Sequence, residues 1–351
     1  MSDTKSRKFL GIQALRIIAA CLVVVTHSTY YAFERLDKHF PVWERGTRGV
    51  DIFFVISGFV MIYASQKLFS ASDGWKVFAE HRIVRIVPLY WLVTTFKVLI
   101  LLATAGLALH TALTPRTAIC SYLFLPTKDL DGKLEPLVGV GWTLNFEMLF
   151  YFFFALALFL RANVFKFVGV ALVLLSIGAY FRQPSWPAAA FYLNSIVLEF
   201  YFGMLIAKAC INDIYLSKKL AYFLLALGFF LLLLPPFDWN VLPKFLVSGV
   251  PAAMIIWSTA SLESLGNAIP AFILYLGDAS YSIYLIHPFV SPLPPAVLSR
   301  VHFHHPVISV ICSVALGIGA GCILHQFVEK PMTTRMRDYL RARRALVRVP
   351  A

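Results

Sequence analysis

The chain has 351 residues, 59% of them hydrophobic and only 14% charged, with a mean hydropathy of +0.75. That balance excludes a soluble domain and points to a protein that crosses a membrane many times. The net charge of +13 comes from 31 Lys and Arg against 18 Asp and Glu; it traces to loop bias and a basic tail after Lys330, a pattern suited to anionic lipid rather than nucleic acid.

Ten apolar runs of spanning length lie at 10–31, 50–66, 82–109, 140–160, 164–181, 190–209, 219–235, 243–260, 271–291 and 306–328. An even number puts both termini on one side. The termini and the loops after even-numbered runs carry 19 Lys and Arg, the opposite loops 10, and Arg16 and Lys97 lie inside runs. By the positive-inside rule both termini are cytoplasmic. The sequence therefore predicts an all-α integral membrane protein, a bundle of about ten transmembrane helices in one domain, with its core over 10–331 and a basic cytoplasmic tail over 332–351. Five cysteines form no CxxC pair and four lie in runs or, for Cys210, at the edge of one, so neither a disulfide framework nor a metal site is indicated. Ile18-Ala19-Ala20-Cys21 imitates a lipoprotein cleavage box, but Arg16 interrupts the apolar run before it, so the first helix is read as its own anchor.

In chain order, the first run holds Arg16 and His27. Eleven residues at 100° each return to within about 20° of one face, about 16 Å apart along the axis. A charge and an imidazole at membrane depth face a bundle interior or a wet cavity. A mixed-charge loop then leads into GVDIFFVISGF, where Asp51 opens the second run as a helix cap or a functional acid. Ser57-Gly58 follows, a pair that also suits close helix packing. Arg82 and Arg85 in RIVRIVPLYW share a face at the cytoplasmic end of the third run, as membrane anchors or as a phosphate clamp. The loop 110–139 carries CSYLFLP, too short to span and read as re-entrant or interfacial. In GWTLNFEMLFY, Trp142 is an interfacial aromatic and Glu147 a carboxylate that needs a partner. Runs five to eight read as scaffold, with Glu199 set aside as structural. Tyr281, Tyr284 and His287 mark the ninth run, and Glu329 closes the tenth in VEKP. His302, His304 and His305 cluster in the last outer loop without a matching ligand set, so a solvated loop is the better reading.

Alternating run direction sorts the polar residues. His27, Asp51, Glu147 and His287 fall in the outer half; Arg16, Arg82, Arg85 and Glu329 fall in the inner half. The outer set is a histidine with carboxylates, a general-base arrangement. The inner set is a basic mouth for a phosphorylated ligand.

Taken together, Arg16 with His27, GVDIFFVISGF at 49–59, RIVRIVPLYW at 82–91, GWTLNFEMLFY at 141–151, YSIYLIH at 281–287 and VEKP at 328–331 resemble the acyltransferase 3 family, especially members that decorate bacterial exopolysaccharide. The resemblance implies ten spans in the bacterial inner (plasma) membrane, with acyl-coenzyme A, by default acetyl-coenzyme A, as donor substrate and no bound cofactor. It implies a sugar or polysaccharide hydroxyl, or its lipid-linked precursor, as acceptor, and proteins of polysaccharide assembly as candidate partners. It implies that His27 and Arg16 are essential and that Arg82 and Arg85 serve the donor. No appended extracytoplasmic domain is expected after the tenth run, so any acyl relay is expected within the bundle or directly to the acceptor. On this reading His27 takes the acceptor proton, or is itself transiently acylated, while Asp51 or Glu147 orients its ring. Ser57, Trp142, Tyr281, Tyr284, His287 and Glu329 are further candidates. The competing readings are a proton-coupled transporter or flippase, which would use the same intramembrane polar residues, and a non-catalytic assembly subunit.

Overall fold

The computed structural model describes residues 9–103, 113–128, 132–183, 185–234 and 243–347. The expectations for 104–109, for parts of the loop 110–139 and for the end of the tail lie outside the described residues. Within them the secondary structure is helical, with one isolated bridge between Lys128 and Leu134. The helices are α1 (Leu10–Arg35), α2 (Gly49–Ser65), α3 (Gly74–Ala103), α4 (Pro115–Tyr122), α5 (Trp142–Phe159), α6 (Val164–Gly178), α7 (Leu198–Ile211), α8 (Lys218–Leu233), α9 (Val250–Ser261), α10 (Ala271–Val290), α11 (Leu293–Arg300), α12 (Pro306–Leu324) and α13 (Lys330–Val347).

Each of the ten apolar runs carries a helix. Six helical stretches among the described residues are long and apolar enough to cross a membrane: Leu10–Arg35, Glu44–Leu68, Gly74–Ala103, Gly139–Phe159, Val164–Phe181 and Pro306–Arg344. Such a set makes the chain a multi-pass membrane protein. The other runs differ for a visible reason. α7, α8 and α9 are 14, 16 and 12 residues long, short of the roughly 20 residues a spanning helix needs. α10 is long enough but carries Asp278 and His287.

The described residues group into two compact units. The first holds the chain up to Ala64 with Ser195–Tyr281 and Ser291–Ala315. Here α1 is pinned at both ends. The Glu263 carboxylate accepts from the backbone N–H groups of Leu10 (2.6 Å) and Gly11 (3.2 Å), satisfying two of the orphan donors at the start of the helix and complementing its dipole. Near the other end, Thr26 Oγ1 donates to Trp43 O at 2.9 Å and Trp43 N–H donates to Thr29 Oγ1 at 3.0 Å. That ties the 3₁₀ turn Glu44–Arg48 to α1. Arg48 Nη1 donates to Leu232 O at 2.6 Å, placing a cation on the last carbonyls of α8. α2 and α7 cross with backbone nearly in contact. A Cβ on Gly58 would lie 1.9 Å from Phe200 O, and one on Gly203 would lie 2.0 Å from Val55 O. The small residue after Ser57 is thus a packing device.

The second unit holds Ser65–Asn194, Ser282–Val290 and the chain from Leu316. α3 packs on α5 through Phe78, whose ring stacks on Phe154 at 4.4 Å and meets Tyr151 edge-on at 6.0 Å. The piece expected to be re-entrant is the short helix α4, started by a Thr114–Thr117 capping box and held to α3 by Trp91 Nε1, which donates to Tyr122 O at 2.8 Å. α12 runs into α13 through a π-helical turn, His325–Glu329.

Candidate active site

α1 is one unbroken helix, so Arg16 and His27 keep the common face that their spacing requires. Both are partly buried. The His27 ring lies 6.5 Å from that of Tyr31, one turn further on.

Asp51 lies in the first turn of α2, fully buried, and among the described residues neither a backbone N–H nor an imidazole donates to its carboxylate. It is therefore neither a helix cap nor hydrogen-bonded to the imidazole of His27, two roles the sequence had left open to it. The side chain faces instead Lys244 Nζ, 3.7 Å from Oδ1, with the fully buried Glu199 beside it. Glu199 in turn lies against Gly249, where an added Cβ would come within 2.8 Å of Glu199 Cγ. Sequence reasoning set Glu199 aside and assigned nothing to Lys244. The signal was present: a second carboxylate inside an apolar run needs a cation as much as the first does.

In the second unit α3 starts at Gly74, eight residues before Arg82. Arg82 and Arg85 consequently sit about two to three turns inside the helix rather than at its mouth. The Arg82 guanidinium lies 5.7 Å from the centre of the Phe78 ring and 6.0 Å from that of Tyr151. Tyr151 donates a short hydrogen bond to the Glu147 carboxylate. Glu147 is thus grouped with Arg82 and Arg85, whereas run direction had sorted it to the opposite end. α3 packs on α5 at Phe78, one turn before Arg82, and that contact brings them together.

Arg82 and Arg85 open onto a cavity of about 230 Å³. His81 completes the α3 wall; Arg337, Leu340, Arg341 and Arg344 of α13 form the other. Arg344 is ion-paired with Glu80 of α3. Arg82 Nε and Nη1 are buried with no hydrogen-bond partner among the described residues. Five guanidiniums around so small a space repel one another, and an anion placed among them removes that repulsion. The α13 arginines had been read as lipid-facing charge. Their spacing of i, i+4 and i+7 puts them on one face, but which element that face meets is visible only in the fold.

The remaining candidates have structural contacts. The Tyr284 hydroxyl lies 3.0 Å from Val140 O and 3.1 Å from Thr143 Oγ1, fastening the start of α5. Trp142 sits edge-on to Phe146 and Phe191. His287 is fully buried, with Nδ1 3.3 Å from Ile283 O of its own helix. Glu329 anchors the π-helical turn: its Oε2 accepts from Ser282 Oγ at 2.7 Å and meets His325 Nδ1 at 2.8 Å. Such turns recur at functional positions, and His325 had not been singled out. Tyr281 and Ser57 are partly buried.

A family model described as an acyltransferase domain matches residues 9–326. The chain is 34% identical over 318 residues to exopolysaccharide production protein ExoZ of Rhizobium meliloti strain 1021, covering 88% of this chain and 95% of that protein. It is 28% identical over 164 residues to protein 2 in picA locus of Rhizobium radiobacter, covering 42% of this chain and 81% of that protein. No solved structure matches.

Proposed function

This chain belongs to the acyltransferase 3 family and is an acyltransferase; from that premise we propose that it transfers an acyl group, acetyl by default, from acyl-coenzyme A to a hydroxyl of an exopolysaccharide or its lipid-linked precursor. Enzyme membership removes the transporter and the non-catalytic subunit as leading readings. The observation that carries the donor assignment is the cavity of α3 and α13 lined by five arginines, whose guanidinium donors suit phosphate oxygens. The size agrees. About 230 Å³ is below the ~300–1,000 Å³ of a cleft that swallows a whole ligand, so the cavity suits the phosphate end of a longer one. The exopolysaccharide acceptor rests on the name of the Rhizobium meliloti relative, which this chain matches over 95% of that protein's length.

His27 acts as general base. Its neutral imidazole takes the proton of the acceptor hydroxyl as that oxygen attacks the thioester carbonyl. The carbon–sulfur bond breaks, the coenzyme leaves as thiolate, and the imidazolium returns the proton to sulfur. Arg16, on the same face three turns away, belongs to the donor path. Asp51, with Lys244 and Glu199, holds the start of α2 rather than the imidazole. Glu147 fixes Tyr151, against which Arg82 lies, and so positions the donor arginine. The ten-span topology with both termini in the cytoplasm, in the bacterial inner membrane, puts the basic tail on the side where acyl-coenzyme A is found.

The test is release of coenzyme A thiol from acetyl-coenzyme A by the purified full chain, with the deacylated polysaccharide as acceptor. Release that requires acceptor and falls on the order of a hundredfold or more in His27→Ala is expected. Undiminished release by a folded His27→Ala protein, with loss only in His287→Ala, would move the base to α10.

A further inference from the structure

The family match ends at residue 326, before α13 begins at Lys330. Yet three of the five arginines around the cavity come from α13. Its polar face is not uniformly used. Arg337, Arg341 and Arg344 line the cavity, while Arg335 and Arg343 do not. The ion pair between Arg344 and Glu80 fastens the far end of α13 to the first turns of α3. The three lining arginines span about 10 Å along the helix, enough for several phosphate oxygens in a row.

We infer that α13 is a donor-specificity element: Arg337, Arg341 and Arg344 form the second wall of the phosphate site and read the number of phosphate groups on the donor, an inference that rests on the donor reading above. The two walls divide the work. Arg82, sequestered against Phe78 and Tyr151, offers fixed donors at the closed side. Arg341 is exposed and, among the described residues, carries a 3.8 Å pair with the exposed Asp338, so it can turn toward a bound phosphate at little cost. Leu340 between them gives one apolar patch in an otherwise cationic lining. An anionic lipid headgroup offers the same phosphate chemistry. It differs in carrying one phosphodiester on a membrane-bound stem, whereas a coenzyme thioester brings a diphosphate and a separate phosphomonoester.

The experiment measures binding of coenzyme A, of coenzyme A lacking its ribose phosphate, and of phosphate-free pantetheine to the full chain in phosphatidylcholine nanodiscs. Arg337→Gln/Arg341→Gln/Arg344→Gln is compared with Arg335→Gln/Arg343→Gln and with Arg82→Gln. Loss of charge-assisted contacts predicts at least about a tenfold fall in coenzyme A affinity for the triple variant. The fall should be smaller for the ligand with one phosphate fewer, absent for pantetheine, and absent in the Arg335/Arg343 pair. Because Arg344 also fastens α13, Arg341→Gln alone is included; it should lose coenzyme A affinity in the same order of ligands. Wild-type affinity in the triple variant with loss in Arg82→Gln overturns the role of α13 and leaves the donor reading standing. Wild-type affinity in all variants overturns both. An equal loss in the Arg335/Arg343 pair reduces the effect to bulk charge and overturns the inference. So does a triple variant that keeps coenzyme A but no longer binds phosphatidylglycerol vesicles, since α13 would then be a lipid contact.

Discussion

Gly46→Ala tests whether the seam between α1 and the start of α2 sets the reaction geometry. Gly46 is buried in the 3₁₀ turn that Thr26 and Thr29 tie to α1. A Cβ there would fall 2.1 Å from Leu22 O, 2.4 Å from Thr26 Oγ1 and 2.7 Å from the Trp43 ring. The hydroxyl and the ring can adjust, but Leu22 O is backbone of α1, one turn before His27. Reaching even the 3.0 Å floor that real Cβ contacts respect needs a retreat of about 0.9 Å. Overpacking of this kind costs about 1–3 kcal/mol of stability. A displacement near 1 Å costs on the order of a hundredfold in rate where groups must meet in register. The expected outcome is a protein that still folds, with a modestly lowered melting temperature, and loses about two orders of magnitude in kcat while its affinity for coenzyme A in the second unit is unchanged. The assay is thiol release alongside thermal unfolding and coenzyme A binding on one preparation. Turnover near the wild-type rate would show that the seam does not position His27, and parallel loss of coenzyme A affinity would show general unfolding instead.

Gly203→Ala, whose Cβ would sit 2.0 Å from Val55 O and 2.6 Å from Phe59 N, should destabilise by at least about 1–3 kcal/mol, whereas Gly319→Ala in α12, with nothing within 4 Å, should be neutral or slightly stabilising; thermal unfolding in detergent distinguishes them. Raising the ionic strength from about 0.1 M to about 1 M shortens the screening length from about 10 Å to about 3 Å, so the KM for acyl-coenzyme A should rise while that for a neutral acceptor holds. Reporter fusions or cysteine labelling should put Cys120 and the end of α13 on opposite sides of the membrane, and the same side for both refutes the ten-span reading.

The helices were legible because apolar runs of this length leave the backbone no other way to satisfy its hydrogen bonds in lipid. Their ends were less so. α3 starts at Gly74 because Lys76, Glu80 and His81 continue a helix that the apolar window had cut at 82, so Arg82 lies within the helix, beside Tyr151 and Glu147. The Asp51–Lys244 pair joins residues far apart in the chain, and no periodicity connects them. The common face of Arg16 and His27 was legible in full, since it depends on one helix only. The pinning of α1 by Glu263 was not, because a carboxylate in an unremarkable turn acquires that role only through tertiary placement.

The charge balance of the cavity argues for what it binds. Five guanidiniums face it, with Glu80 engaging Arg344 and Glu147 tied to Tyr151 near Arg82. With Asp338 beside Arg341, three carboxylates still leave a surplus of positive charge in a space of about 230 Å³, and a fold held by apolar packing keeps it there against the repulsion. A single monoanion would fill one pair of donors and leave the rest opposed. A ligand with several phosphate charges on one backbone relieves more of the repulsion, and the gain grows with each phosphate because the arginines are already in place. The site therefore discriminates by phosphate count before any contact with the acyl group is made.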